Sequence, residues 1–184
     1  MSTAVLNIQN LHVSYSHQPI IHNFSCTILE HETIALIGSN GIGKSTLLKT
    51  IAGLIPSYQG VIQKPPTWCY VPEHCMLPSF LTAYDFLWYA ANTYELIMHY
   101  LELMNLADCK NKKIGSFSKG MRQRLGLAFA LVREPSLFIL DEPFSGLDET
   151  SSLLVEKVFF AVPGKTILYA QHMPHSNDHR VIRI

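Results

Sequence analysis

Hydrophobic positions fall into short unbroken runs separated by segments of helical spacing. Residues 33–37 form one such run, closed by Gly38. Runs at 137–140 and 166–170 also lack polar alternation and predict strands buried on both faces. A run at 67–71 ends at Pro72, and 180–184 predicts a last strand. Residues 45–52 carry helical spacing and stop at Gly53. Buried strands separated by helices predict an α/β fold with a parallel sheet.

Two regions depart from this rhythm. The first 30 residues alternate, with Val5, Ile8, Leu11 and Val13, then Ile20, Ile21, Phe24 and Ile28. They predict N-terminal antiparallel strands. Residues 82–106 have no strand signal. Phe86, Leu87, Tyr89 and Ala90, then Leu96, Ile97, Tyr100, Leu101, Leu103 and Met104, recur at helical spacing. They predict a small helical lobe, about 78–118, inserted into a single domain that fills 1–184.

Composition narrows the classes. The chain has 184 residues, enough for one domain with a proper core. Lys+Arg 14 balances Asp+Glu 14, which is not the footprint of a nucleic-acid binder. Charged residues are 15% of the chain, against about 25% in ordinary soluble domains. Either much surface is covered by partners or the domain is simply neutral. No apolar run is long enough to cross a membrane, and the segment from Met1 to Ala4 lacks a secretory pattern. Cys26, Cys69, Cys75 and Cys109 are therefore expected as reduced thiols. Cys69, His74 and Cys75 lack further ligands at zinc spacing. His172, His175 and His179 are separated by Pro174 and a turn-forming stretch, which argues against one metal-binding helical face.

The strongest chemical signal is Gly38-Ser39-Asn40-Gly41-Ile42-Gly43-Lys44-Ser45, followed by Thr46. It fits G-x-x-x-x-G-K-[ST], and it follows a strand and opens a helix. Glycines let backbone N–H groups approach phosphate oxygens, and the helix N-terminus adds unsatisfied donors and its dipole. Lys44 would reach the β- and γ-phosphates, and the Ser45 hydroxyl would ligate Mg²⁺. Asp141 ends the apolar strand 137–140 and would hold the metal. Glu142, one residue on, would polarise an attacking water.

Phe117-Ser118-Lys119-Gly120-Met121 then separates this chain from other phosphate-loop proteins. It resembles the L-S-G-G-Q signature of the ATP-binding cassette (ABC) ATPases, and it precedes Asp141 at a similar spacing. The resemblance runs from Leu6 to Ile184. It implies a phosphate-loop NTPase core. It also implies that Ser118, Lys119, Gly120 and Met121 face the ATP held by a partner subunit. Tyr15 falls where the family stacks an aromatic ring on adenine. Ser145-Gly146-Leu147-Asp148 resembles the D-loop of the dimer interface. His172 is similar to the family's switch histidine at the γ-phosphate.

Departures from the family pattern are specific. The family places Gln after a strand and Pro, where it senses Mg²⁺; here Glu73 follows Pro72. A carboxylate can ligate Mg²⁺, but it adds charge and donates no hydrogen bond when ionised. Lys119 and Met121 replace the commonest signature residues, and Ser-Lys-Gly-Met-Arg-Gln-Arg resembles an exporter-type variant. His31 replaces the usual Gly before Glu32. The helical lobe is trimmed between Tyr94 and Leu101, and the chain stops at a strand.

The resemblance implies an ATP- and Mg²⁺-dependent ATPase subunit of an ABC transporter. It would work as a homodimer or with a paralogue, drive export through a separate membrane-spanning subunit, and sit at the cytoplasmic face of the membrane. Two alternatives stay open: a soluble ABC ATPase driving an assembly step such as iron–sulfur assembly, and a non-hydrolysing nucleotide-binding regulator.

Overall fold

A computed structural model describes residues 3–15, 18–91, 93–160, 164–172 and 180–184. His175 and His179 lie outside them. The chain divides into two compact units.

The first unit takes in 1–70, 136–142 and 163–184. Strands β1 (Ala4–Tyr15) and β2 (Gln18–Leu29) form an antiparallel ribbon. Leu6, Ile8, Leu11 and Val13 of β1 are all buried, although the step from Ile8 to Leu11 is odd. The register shifts between those two residues, and Asn10 sits at φ 47°. The irregularity resets the pleat and keeps Leu11 and Val13 on the core side.

Strand β3 (Thr33–Ile37) leads to helix α1 (Lys44–Ile51). Strand β4 (Gln59–Gln63) then joins β1 antiparallel, giving the order β2-β1-β4. Hydrophobic patterning does not predict β4, because four of its five residues are exposed and no apolar face marks it. A five-stranded sheet takes β5 (Trp68–Val71), β6 (Leu137–Asp141), β7 (Ile167–Gln171), β3 and β8 (Arg180–Arg183), in that order. β3 pairs in parallel with β7 and β8, and β6 pairs in parallel with β7. Every residue of β3, β6 and β7 is buried, as their unbroken apolar runs predict. One core joins Leu6 and Leu11 to Ile34, Leu36, Ile139 and Leu168, and to Leu47, Leu48 and Ile51 of α1. The mixed α/β architecture with both sheet types agrees with the expectation.

His31 adopts φ 65°, the conformation for which glycine is the usual solution. Its amide donates to Thr166 Oγ1 at 2.9 Å, and its Nδ1 lies 2.8 Å from the Gly164 carbonyl. These two contacts offset the backbone cost at a non-glycine residue.

The second unit takes in 71–135 and 143–162. Helix α2 (Ala83–Trp88) starts at a reciprocal cap: Thr82 Oγ1 accepts from the Asp85 amide, and Asp85 accepts from the Thr82 amide. Helix α3 (Tyr94–Leu103) buries Ile97 and Leu101. Helix α4 (Lys119–Val132) is nearly all buried over its last turns, and its Phe129 stacks on Phe86 with centroids 4.8 Å apart. A short helix α5 (Glu149–Val155) follows the 143–148 turn.

Gly126 of α4 is a packing glycine. A Cβ there would lie 2.5 Å from Cys75 Sγ. Gly126→Ala is expected to destabilise the chain by about 1–3 kcal/mol, since an added carbon must displace Cys75. A lowered thermal midpoint checks this; an unchanged midpoint contradicts it.

Candidate functional site

In the first unit the 38–45 loop runs from the end of β3 into α1. Gly43, at φ 115°, caps α1 with no side-chain capping bond. Two constraints demand glycine here: the left-handed backbone, and Ile21 Cδ1, which would stand 2.9 Å from a Cβ. The first N–H groups of α1 have no intrahelical partners by helix geometry. Ser39, Asn40, Gly41 and Ile42 are exposed, so this end of the helix presents donors to solvent and favours an anion.

Lys44 is buried, yet its ammonium is not idle. Nζ donates to the Gly38 carbonyl at 2.7 Å and to the Ser39 carbonyl at 3.2 Å, and it lies 3.7 Å from Glu142 Oε1. The loop's own carbonyls thus hold the cation at the mouth of the cradle. Ser45 Oγ donates to Asp141 Oδ1 at 2.9 Å. Asp141 is buried at the end of β6, and its second oxygen accepts from the Tyr70 hydroxyl at 3.1 Å.

Glu142 takes φ 49°, an uncommon conformation for a non-glycine residue, while its amide donates to the Ala170 carbonyl at 3.1 Å. Such backbone costs about 1–3 kcal/mol and persists where the surroundings over-determine it. Its carboxylate stands between Lys44 and His172: Oε1 is 3.4 Å from His172 Nε2. His172 follows β7 directly, so two parallel neighbouring strands deliver the acid and the imidazole to one point. Tyr15 ends β1 and is 48% exposed, leaving its ring available for stacking.

In the second unit, Ser118 caps α4. Its hydroxyl accepts from the Met121 amide at 3.1 Å, and the Lys119 and Gly120 amides lie in the turn where helix geometry leaves donors free. Asp148 caps α5 and accepts from the Ser151 amide at 2.7 Å. That backbone bond, then the Ser151 hydroxyl, and last the nearby Arg124, hold its carboxyl below the usual range. Glu73 belongs to this unit, where its Oε1 accepts from Ser145 Oγ at 3.0 Å and lies 3.5 Å from His74 Nδ1.

Of the predicted residues, Lys44, Ser45, Asp141, Glu142 and His172 meet in the first unit, and Glu73, Ser118, Lys119, Gly120 and the 145–148 turn lie in the second. Sequence reasoning missed Tyr70. Its position just before Val71-Pro72, on a strand beside that of Asp141, was the available signal.

A family model described as ABC transporter matches residues 21–145. The chain is 35% identical over 190 residues to YxlF, an uncharacterized ABC transporter ATP-binding protein of Bacillus subtilis (strain 168), with 95% of this chain and 64% of that protein covered. It therefore spans less than two thirds of that relative's length. It is 32% identical over 190 residues to the lantibiotic transport ATP-binding protein SrtF of Streptococcus pyogenes, covering 95% of this chain and 83% of SrtF. An ABC transporter ATP-binding protein from Pyrococcus furiosus matches with a TM-score of 0.86 and 27% identity, over 97% of this chain and 96% of that one. The matched segment, these relatives and the shared fold establish that this chain belongs to the ABC transporter family, among its ATP-binding subunits.

Proposed function

We propose that the chain binds and hydrolyses ATP in a head-to-tail pair and powers export through a separate membrane-spanning subunit. The observation that carries the reading is the convergence of Lys44 and His172 within 3.7 Å of one Glu142 carboxylate oxygen. Tyr15 stacks on the adenine. The 38–46 loop and Lys44 hold the phosphates, with Lys44 offsetting charge on the transferring phosphoryl group. Glu142 accepts a proton from the attacking water, and His172 steadies the γ-phosphate. Ser118 and Gly120 of the second copy meet the same γ-phosphate from the other side, and the turn from Ser145 to Asp148 crosses between copies.

The paired oxygens of Ser45 and Asp141, 2.9 Å apart, are hard donors of the kind Mg²⁺ takes. Mg²⁺, when bound there, supplies charge neutralisation at the phosphates.

Two features of the second unit support a docked membrane subunit. Met76, Phe80 and Tyr89 are 96%, 73% and 74% exposed. Between Cys75 and Met104 the only charged residues are Asp85, Glu95 and Glu102. Among the described residues no helix is long and apolar enough to cross a membrane. SrtF's name ties it to lantibiotic transport, and the exporter-type Lys119–Met121 variant favours the outward direction. The test is capture of the tagged full-length protein from detergent-solubilised membranes. A multi-helix membrane protein is expected to co-purify; recovery with soluble proteins alone contradicts the transport reading.

A further inference from the structure

The carboxylate of Glu73 and the ammonium of Lys119 are joined through one hydroxyl. Lys119 Nζ donates to Ser145 Oγ at 3.1 Å, and Ser145 Oγ donates on to Glu73 Oε1 at 3.0 Å. A hydroxyl can serve both neighbours at once, accepting from the cation and donating to the anion. The charged ends orient it in a fixed sense, which strengthens both bonds.

The stem of Lys119 is held as well. It lies across Gly146, where a Cβ would stand 2.7 Å from its Cδ and 2.9 Å from its Cε. Gly146 also takes φ 74°. Glycine therefore serves twice: it permits the turn, and it makes the slot in which the lysine lies. Beside it, a Cβ on Gly120 would stand 3.2 Å from the Gly146 carbonyl, so the two loops are in close contact. Glu73 and Lys119 are both departures from the usual family residues, and they are opposite in charge.

We propose that Glu73 is a positioning residue: acting through Ser145, it holds Lys119 against Gly146 and so sets where the signature loop presents its cation to ATP. Neither departure stands alone. An acid in place of the usual amide supplies the negative end that the extra signature lysine needs, and Ser145 supplies the link. The functional part rests on the reading that the 118–121 loop meets the ATP of a second copy. All of these groups are at least partly exposed, so each link is modest in strength.

Two measurements on the full-length protein test it. In the first, the rate at which Lys119 reacts with an amine-acetylating reagent without nucleotide is followed by mass spectrometry. Glu73→Gln and Ser145→Ala are each expected to raise that rate by about 2- to 5-fold. The second is a double-mutant cycle of Glu73→Gln and Lys119→Gln on the KM for ATP. The KM is expected to rise about 2- to 5-fold in each single variant, kcat is expected to change less, and the double variant should be no worse than the more affected single one. Unchanged Lys119 labelling overturns the relay itself. Raised labelling with an unmoved KM overturns the role of Lys119 at the ATP and the positioning role with it. Effects on KM that multiply in the double variant show that the two residues act independently, and also overturn the proposal.

Discussion

Glu142→Gln is expected to slow ATP turnover by about 10²- to 10⁴-fold while ATP binding persists. The amide keeps the size of the side chain and one acceptor oxygen, so the positive-φ backbone and the contact with His172 have no reason to rearrange. What is lost is the carboxylate proposed to accept a proton from water, which lies 3.4 Å from the imidazole. Removing its charge also relieves repulsion toward the incoming phosphates, which favours nucleotide retention. Phosphate release, measured beside the affinity for a fluorescent ATP analogue, separates the two effects. Unchanged turnover removes Glu142 from the role of base.

Lys44→Ala is expected to act on binding rather than on chemistry alone. The ammonium now bridges the Gly38 and Ser39 carbonyls and stands 3.7 Å from Glu142. Phosphate oxygens would exchange with the loop carbonyls as its partners. Charge-assisted bonds of this kind are worth about 1.5–3 kcal/mol each, so losing two weakens ATP binding by about 10²-fold or more. Glu142 then also faces the phosphates with the Lys44 cation gone, which lowers affinity further. Titration calorimetry with ATP and Mg²⁺ checks this. An affinity within a few-fold of the parent contradicts it.

Much of this site was legible in the sequence because its parts are tied to buried strands. β3, β6 and β7 are apolar throughout, and each ends at chemistry: the phosphate loop, the Asp141-Glu142 pair and His172. Parallel pairing in the order β6-β7-β3 brings three distant segments to one end of the sheet, which is where such sheets bind ligands. The strand with the weakest apolar signal, β4, was not legible, since four of its five residues are exposed and it is held by pairing with β1 and the packing of Ile62 on the core. Tyr70 escaped for a different reason: a tyrosine in a half-buried strand has no pattern that distinguishes a hydrogen bond to Asp141 from packing. Glu73 was visible as a departure from the family, but its partner was not. A hydroxyl 72 positions further along the chain can be matched to it only by the fold. Low charge is accounted for in part by the apolar positions exposed on the second unit, Met76, Phe80 and Tyr89.

We propose a composite site, with ATP held by the 38–46 loop of one copy and met by Ser118 of another. Sedimentation of the Glu142→Gln protein with and without ATP and Mg²⁺ tests it most directly. The mass is expected to double when ATP is added, and a further Ser118→Arg substitution is expected to abolish the doubling while ATP still binds. A protein that binds ATP yet keeps the same mass at every nucleotide concentration would contradict it.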